Sequence, residues 1–219
     1  MQESSSPESA DAGEPNPGAD GRKRELREIL DSCVLCPRMC RAKRSAGEQG
    51  FCRLGDRLIL SSALPHHGEE PPLSGRRGAG TIFFSSCNLK CVYCQNWQIS
   101  HSPAGRAVTA EQLAGIMLGL EAQGCHNIEP VTPTPQLPGI MDALDIARRR
   151  GLRVPFVFNC GGYERREILQ LIQGRVGIYL PDFKYGLNEV GSRCSGVPDY
   201  PDRALDALRE MVRQVGDTL

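Results

Sequence analysis

From residue 81 onward the chain alternates between two hydrophobic periods. Short β-branched and aromatic runs at 81–84, 127–132, 154–159 and 176–182 read as strands. Between and after them, apolar residues recur at helical spacing. Leu113, Ile116, Met117 and Leu120 form one stripe, Ile140, Leu144 and Ala147 a second, and Ile168, Leu169 and Ile172 a third. Leu205, Leu208, Val212 and Val215 form the last. Thr109 and Gln112 make a capping box that starts the first helix, over about 109–123. Gly124 stops it, and Gly151 stops the second, over 140–150. Four strand–helix units in succession imply an α/β fold with a parallel sheet or a partial (βα) barrel. One position conflicts with this pattern. Pro130, next to Glu129, falls inside the second strand, where proline removes a ladder donor and is expected to damage pairing.

Upstream the pattern weakens. Residues 1–21 carry five acidic residues, many Ser, Pro and Gly, and no Lys or Arg, and are expected to be a disordered acidic tail. A short helix follows with Leu26, Ile29 and Leu30 on one face. Its basic start, Arg22-Lys23-Arg24, reads as a solvated helix end. Residues 22–58 form a Cys-rich basic segment, 59–80 a connector and 81–219 the α/β unit.

Composition narrows the function classes. Lys plus Arg and Asp plus Glu both number 26, apolar residues make up 40% and aromatic residues 5%, which disfavours a general nucleic-acid binder. No apolar run approaches the roughly 20 residues of a membrane span. The start, MQESSSPESA, lacks the basic and apolar regions of a secretory signal. Ten cysteines, seven of them in two clusters before residue 95, then point to metal or redox ligation in a cytoplasmic setting.

The second cluster carries the strongest chemistry. Cys87, Cys91 and Cys94 are spaced C-x3-C-x2-C just past the first strand of the α/β unit. Three thiolates on one loop hold three irons of a [4Fe-4S] cube. With no fourth cysteine in the loop, the last iron keeps an open position. A zinc site would instead pair two C-x2-C elements.

Around these cysteines the chain resembles a known family. The motif ends in Tyr93-Cys94-Gln95-Asn96, and its neighbours are Gly68-Glu69-Glu70-Pro71-Pro72-Leu73-Ser74-Gly75, Thr81-Ile82-Phe83-Phe84, Val131-Thr132-Pro133-Thr134 and Tyr179-Leu180-Pro181-Asp182-Phe183-Lys184-Tyr185. As a set they resemble the pyruvate formate-lyase activating-enzyme-like branch of the radical S-adenosylmethionine (SAM) proteins. The resemblance implies an oxidoreductase-type enzyme. Its [4Fe-4S] cluster would cleave S-adenosylmethionine reductively to a 5′-deoxyadenosyl radical, which abstracts hydrogen from a substrate such as a glycyl radical enzyme. It also implies an electron donor such as flavodoxin or ferredoxin, and no nucleic-acid or membrane partner. Tyr93 matches the adenine contact. Thr132 and Thr134 stand where many relatives carry Gly-Gly-Glu, and Pro135 stands where the branch usually has histidine. Asn159, Asp182 and Lys184 match strand-end positions of a cation or cofactor pocket. The family barrel has six strand–helix units. Four are legible here, so the resemblance implies a C-terminally short barrel that binds a cluster but cleaves S-adenosylmethionine poorly.

Cys33, Cys36, Cys40 and Cys52 form the first cluster, within twenty residues and in a segment where ten Lys and Arg face five Asp and Glu. Four thiols suit one zinc ion or a second iron–sulfur cluster equally well. Cys125, Cys160 and Cys194 read as packing residues, and His66, His67, His101 and His126 as structural or exposed. Two other functions use the same cysteines: a non-catalytic iron–sulfur electron-transfer or sensing protein, and a zinc-binding interaction module.

Overall fold

The computed structural model describes residues 17–216. The expected disordered tail lies outside the described residues up to position 16. Residues 17–21 differ from expectation, because they open helix α1 (Pro17–Glu28). After it come β1 (Leu58–His66), α2 (Pro71–Ser74), β2 (Ala79–Phe84), α3 (Trp97–Ser100), β3 (Arg106–Val108), α4 (Ala110–Ala122), β4 (Ile128–Val131) and α5 (Leu137–Arg149). Then follow β5 (Val157–Cys160), α6 (Arg166–Leu171), β6 (Ile178–Pro181), α7 (Asn188–Ser195) and α8 (Tyr200–Val215).

The strands form one open sheet of six in the order β3-β1-β2-β4-β5-β6. β2, β4, β5 and β6 run parallel, each followed by a helix, as the sequence pattern requires. β1 and β3 add an antiparallel margin. The sheet is an arc, a partial βα barrel that does not close. The stretch 59–80, read as a connector, instead contains all but the first residue of the nine-residue strand β1. Only Leu58 and Leu60 alternate into the core there, and the serines and Pro65 that follow hide the period.

The strand at Pro130 survives for a specific reason. Ile128 donates to Pro155 and Thr132 donates to Asn159, so even positions of β4 point their N–H groups toward β5. Pro130 shares that parity. Its missing donor therefore removes one rung of the β4–β5 ladder and leaves the β2–β4 ladder whole, with Ile82 paired to Pro130.

The outer face of the sheet packs under the helices in a single core. Ile82, Phe84, Ile128, Phe156 and Phe158 meet Leu113, Met117, Ile140, Leu144, Ile168 and Met211 there. Thr109 accepts from the Gln112 N–H and donates its own to the Gln112 side chain, the capping box the sequence predicts. Leu26 and Leu30 carry the amino-terminal segment into the same core. The basic helix start is not simply solvated: Lys23 lies 3.3 Å from Asp142 and 3.4 Å from Asp145 on α5.

One side chain fixes where β2 hands over to the loop beyond it. Gln136, buried after β4, accepts from the Ile59 N–H at 2.6 Å and donates to the carbonyls of Ile59 and Ser85 at 3.1 and 2.9 Å. It serves as a one-residue strand where β1 and β2 diverge. Gln136→Leu leaves the Ile59 N–H and the Ser85 carbonyl unpaired in the interior, while the Ile59 carbonyl keeps the Ser85 N–H at 3.0 Å. The expected loss is about 2–4 kcal/mol of stability, measured as a shift in the urea midpoint at constant m-value.

Candidate functional site

The loop from Ser85 to Asn96 leaves the carboxyl end of β2, the edge of a parallel sheet where ligand sites form. It has little regular structure and relies on its neighbours. Ser86 and Lys90 adopt left-handed backbone angles, with φ of 73° and 50°. The Ser86 hydroxyl donates to the Cys52 carbonyl, and Asn88 donates to the Tyr163 carbonyl at 2.8 Å. Leu89 and Cys91 pack with Tyr163, Tyr185, Val197 and Tyr200 in a second, smaller apolar cluster. That cluster links the loop to α7 and α8, through which the Tyr200 hydroxyl accepts from the Lys184 N–H at 2.8 Å.

A cavity of about 610 Å³ opens beneath this loop. Cys87, Cys91 and Cys94 share its upper wall with Tyr93. The ends of the parallel strands supply Thr132 from β4, Asn159 and Cys160 from β5, and Asp182 and Lys184 from β6. The cavity runs down to His66, Glu69 and Glu70, beside the start of β2. Of the sequence-predicted residues, Tyr93, Thr132, Asn159, Asp182 and Lys184 are brought together. Thr134 is not. It lies in a buried 3-10 turn, and its hydroxyl donates to Glu164 at 2.6 Å, pointing away from the cavity. Pro135 borders a different pocket.

The electrostatics are divided. Cys87 accepts from the Leu89 N–H at 3.3 Å and Cys94 from the Ser100 hydroxyl at 3.2 Å. Burial nevertheless pushes the Cys87 thiol pKa up, so a metal must displace its proton. Burial also works against the Lys184 ammonium, but the Asp182 carboxylate at 2.7 Å outweighs it and holds the lysine pKa above its ordinary value. The floor is acidic. Glu69 sits 3.3 Å from His66, and burial raises its pKa. Near it, behind the cavity lining, Glu129 is fully buried. One of its oxygens accepts from Asn159 at 2.7 Å, while Oε2 finds no partner among the described residues. Burial raises its pKa to about 7.

The amino-terminal cysteines form a second grouping. Cys33, Cys36, Cys40 and Cys52 line a small cleft with Arg38, Arg44, Phe51, Asn88 and Pro135. Burial raises the Cys36 thiol pKa to about 12. Among the described residues, no three His, Cys, Asp or Glu side chains converge on the coordination sphere of a single ion. The four thiols share this one cleft.

The sequence profile of the Radical SAM superfamily matches residues 81–217, more than half of the chain. The chain belongs to the radical SAM superfamily. Two uncharacterized proteins of Methanocaldococcus jannaschii are similar to it. One is 34% identical over 184 residues, covering 80% of this chain and 52% of the relative. The other is 26% identical over 157 residues, covering 64% and 46%. The chain thus spans about half the length of these relatives. Membership implies an enzyme with a [4Fe-4S] cluster and S-adenosylmethionine. The residues present suit that pair: three sulfurs stand at one end of a cavity large enough for a small-molecule ligand, and a cube does not require them to meet at one ion. No described helix is long and apolar enough to cross a membrane.

Sequence reasoning missed His66, Glu69 and Glu129. His66 and Glu69 were hidden by the unrecognised strand β1, and Glu129 was noticed only as an oddity beside Pro130. The signal that finds Glu129 is the parity of β4, which turns it to the same face as Val131 on the cavity wall.

Because the folded-state pKa of Glu129 lies above its ordinary value of 4.5, its stabilising contribution is complete below about pH 4.5 and is lost as pH rises through about 7. Glu129→Gln should match wild type in urea denaturation at pH 5. At pH 8 it should exceed it by on the order of 2 kcal/mol.

Proposed function

We propose that within the radical SAM superfamily this chain works in the manner of the pyruvate formate-lyase activating-enzyme-like proteins. In this reading Cys87, Cys91 and Cys94 hold the [4Fe-4S] cluster. When bound and reduced, that cluster supplies the electron for cleavage of S-adenosylmethionine to a 5′-deoxyadenosyl radical, which takes hydrogen from the substrate. The observation that carries the reading is the three-cysteine loop at the carboxyl end of the parallel strands, set over one deep cavity with no fourth cysteine in the loop.

The chain's own tasks are binding, orientation and exclusion of water. Tyr93 stands at the cavity mouth for the adenine, with its ring edge-on to Tyr185 at 6.1 Å. Lys184 and Asp182 present a cation and an anion to the carboxylate and amino groups of the amino-acid moiety. Thr132 and Asn159 supply polar edges beside them. Thr134 takes no part, because its hydroxyl is committed to Glu164.

A protein substrate, a glycyl radical enzyme in this reading, is supported by the surroundings of the mouth. Val92, Tyr93, Trp97, Phe183 and Leu187 are all exposed on the loops that flank it, an apolar rim suited to a polypeptide segment. The reading also includes a low-potential electron donor such as flavodoxin or ferredoxin, and a second metal centre at Cys33, Cys36, Cys40 and Cys52.

Electron paramagnetic resonance of the anaerobically reduced protein, with and without S-adenosylmethionine, tests this function. The expected result is a spectrum that shifts on addition of S-adenosylmethionine, together with slow formation of 5′-deoxyadenosine. Replacing Cys87, Cys91 and Cys94 with alanine should reduce both to background. A cluster signal indifferent to S-adenosylmethionine would instead assign the chain to non-catalytic electron transfer or sensing.

A further inference from the structure

We propose that the floor of the cavity is a subsite for a cationic group of the substrate, a primary ammonium or a guanidinium, held by Glu69 and Glu70 with Glu129 behind them. The inference rests on the radical SAM reading above and gives that reaction a substrate class.

Charge is the first support. Besides His66, four charged residues line the cavity. Asp182 and Lys184 pair with each other at 2.7 Å where β6 ends. The other two, Glu69 and Glu70, are both acidic and stand together at the floor. The ion partner of Glu69 is the His66 imidazole, 3.3 Å away, and the Nδ1 atom that faces it makes no hydrogen bond among the described residues. The backbone that carries the two carboxyls is anchored. The Ser74 hydroxyl donates to the Glu69 carbonyl at 2.7 Å, and the Leu73 and Ser74 N–H groups donate to the Glu70 carbonyl at 2.8 and 3.0 Å. Two carboxylates are thus presented to the cavity before any ligand arrives. An ammonium or guanidinium can donate charge-assisted hydrogen bonds to both.

Unpaired polar atoms are the second support, and they are independent of the first. Thr81 on β2 and Glu129 on β4 are register partners, and both are fully buried. Thr81 Oγ1 and Glu129 Oε2 have no hydrogen-bond partner among the described residues. Two positions further along the same strands, Phe83 and Val131 are also partners, and both line the cavity. Thr81 and Glu129 therefore point to the cavity side of the sheet, away from the helices. The charged groups that act on Glu129 are Glu69 and Glu70, whose repulsion adds to burial in raising its pKa to about 7. An unpaired buried carboxyl behind two like charges is a cost that a cation at the floor relieves.

Length is the third support. His66 pairs with Ala79 at the start of β2, and the cysteine loop follows Phe84 at its end. At about 3.3 Å per residue, the floor lies about 16 Å below that loop. Phe83, Val131 and Leu180 line the space between, an apolar wall that suits an alkyl stem. With S-adenosylmethionine at Tyr93, Asp182 and Lys184, a cation at the floor stands an alkyl chain upright and presents its far end toward the loop. A lysine or arginine side chain of a polypeptide and a free alkylamine offer this same chemistry.

The test is isothermal titration calorimetry of the full chain, reconstituted anaerobically, with hexylammonium chloride, N-acetyl-glycyl-lysine amide and hexan-1-ol. At least one of the two cations should bind about tenfold or more tightly than the neutral alcohol, and should keep that affinity at saturating S-adenosylmethionine. Binding of the peptide alone assigns the floor to a basic side chain of a polypeptide. Binding of hexylammonium, with or without the peptide, assigns it to a free amine. The Glu69→Gln, Glu70→Gln variant should weaken cation binding by about tenfold and leave the alcohol unchanged. Glu129→Gln, expected above to be at least as stable as wild type, should weaken cation binding by about threefold, so a decision does not depend on the double variant folding. Equal affinity for cation and alcohol, displacement of the cation by S-adenosylmethionine, or wild-type affinity in both variants overturns the proposal. Failure of the radical SAM reading has a different signature: the cluster spectrum ignores S-adenosylmethionine while the cations still bind at the floor.

Discussion

The guanidinium of Arg38 holds together three parts of the chain that share no ladder. It lies 3.4 Å over the Phe51 ring in the amino-terminal segment. From there it donates to the carbonyls of Asn88 at 2.5 Å, Leu89 at 3.5 Å and Ser195 at 2.6 Å. A loop that carries ligands cannot satisfy its own backbone as a helix or strand does, so its carbonyls need donors from elsewhere. A planar cation with five N–H groups meets several at once, which a lysine cannot do. This side chain touches the Cys-rich segment, the Cys87 loop and the end of α7 at once, adding to the Ser86–Cys52, Lys90–Phe51 and Val92–Cys194 hydrogen bonds between them. Gln136 does the same on the other flank, where Ser85 leaves the sheet.

The cavity under the loop is polar at both ends for different reasons. At the top, Lys184 and Asp182 offset each other's charge where β6 ends. At the floor stand His66 and Glu69, and behind the lining Glu129 of β4 keeps an unpaired oxygen where an ionised carboxylate is poorly tolerated. Such a group is costly to the fold, and carboxyls of this kind concentrate in functional clefts.

Much of this was legible in the residues, and the losses have physical causes. The four parallel strands and their helices follow from periods that burial enforces, since both faces of a parallel sheet are covered. The Cys87 loop was legible because its three thiols lie close together along the chain, at the end of a strand that the hydrophobic period marks. β1 was lost because it lies near the sheet margin, where only two positions need be apolar, and the short edge strand β3 was lost with it. Thr134 was misplaced because a motif gives order along the chain but not which way a 3-10 turn points a hydroxyl. His66 and Cys160 were read as structural. Both line the cavity, although Cys160 also packs in the main core as its reading implies, and no local pattern records the cavity contact.

Pro130 has a further consequence. By removing one donor between β4 and β5 it leaves those strands joined by fewer bonds than any other parallel pair in the sheet. The seam falls between the fourth and fifth strands of the six, where Val131, Thr132 and Asn159 line the cavity. Curvature concentrated at one weakened line is easier to accommodate than bending every ladder a little. The residue that seemed to spoil a strand thus marks the least tightly laddered seam of the parallel strands, between two residues of the cavity wall, Thr132 and Asn159.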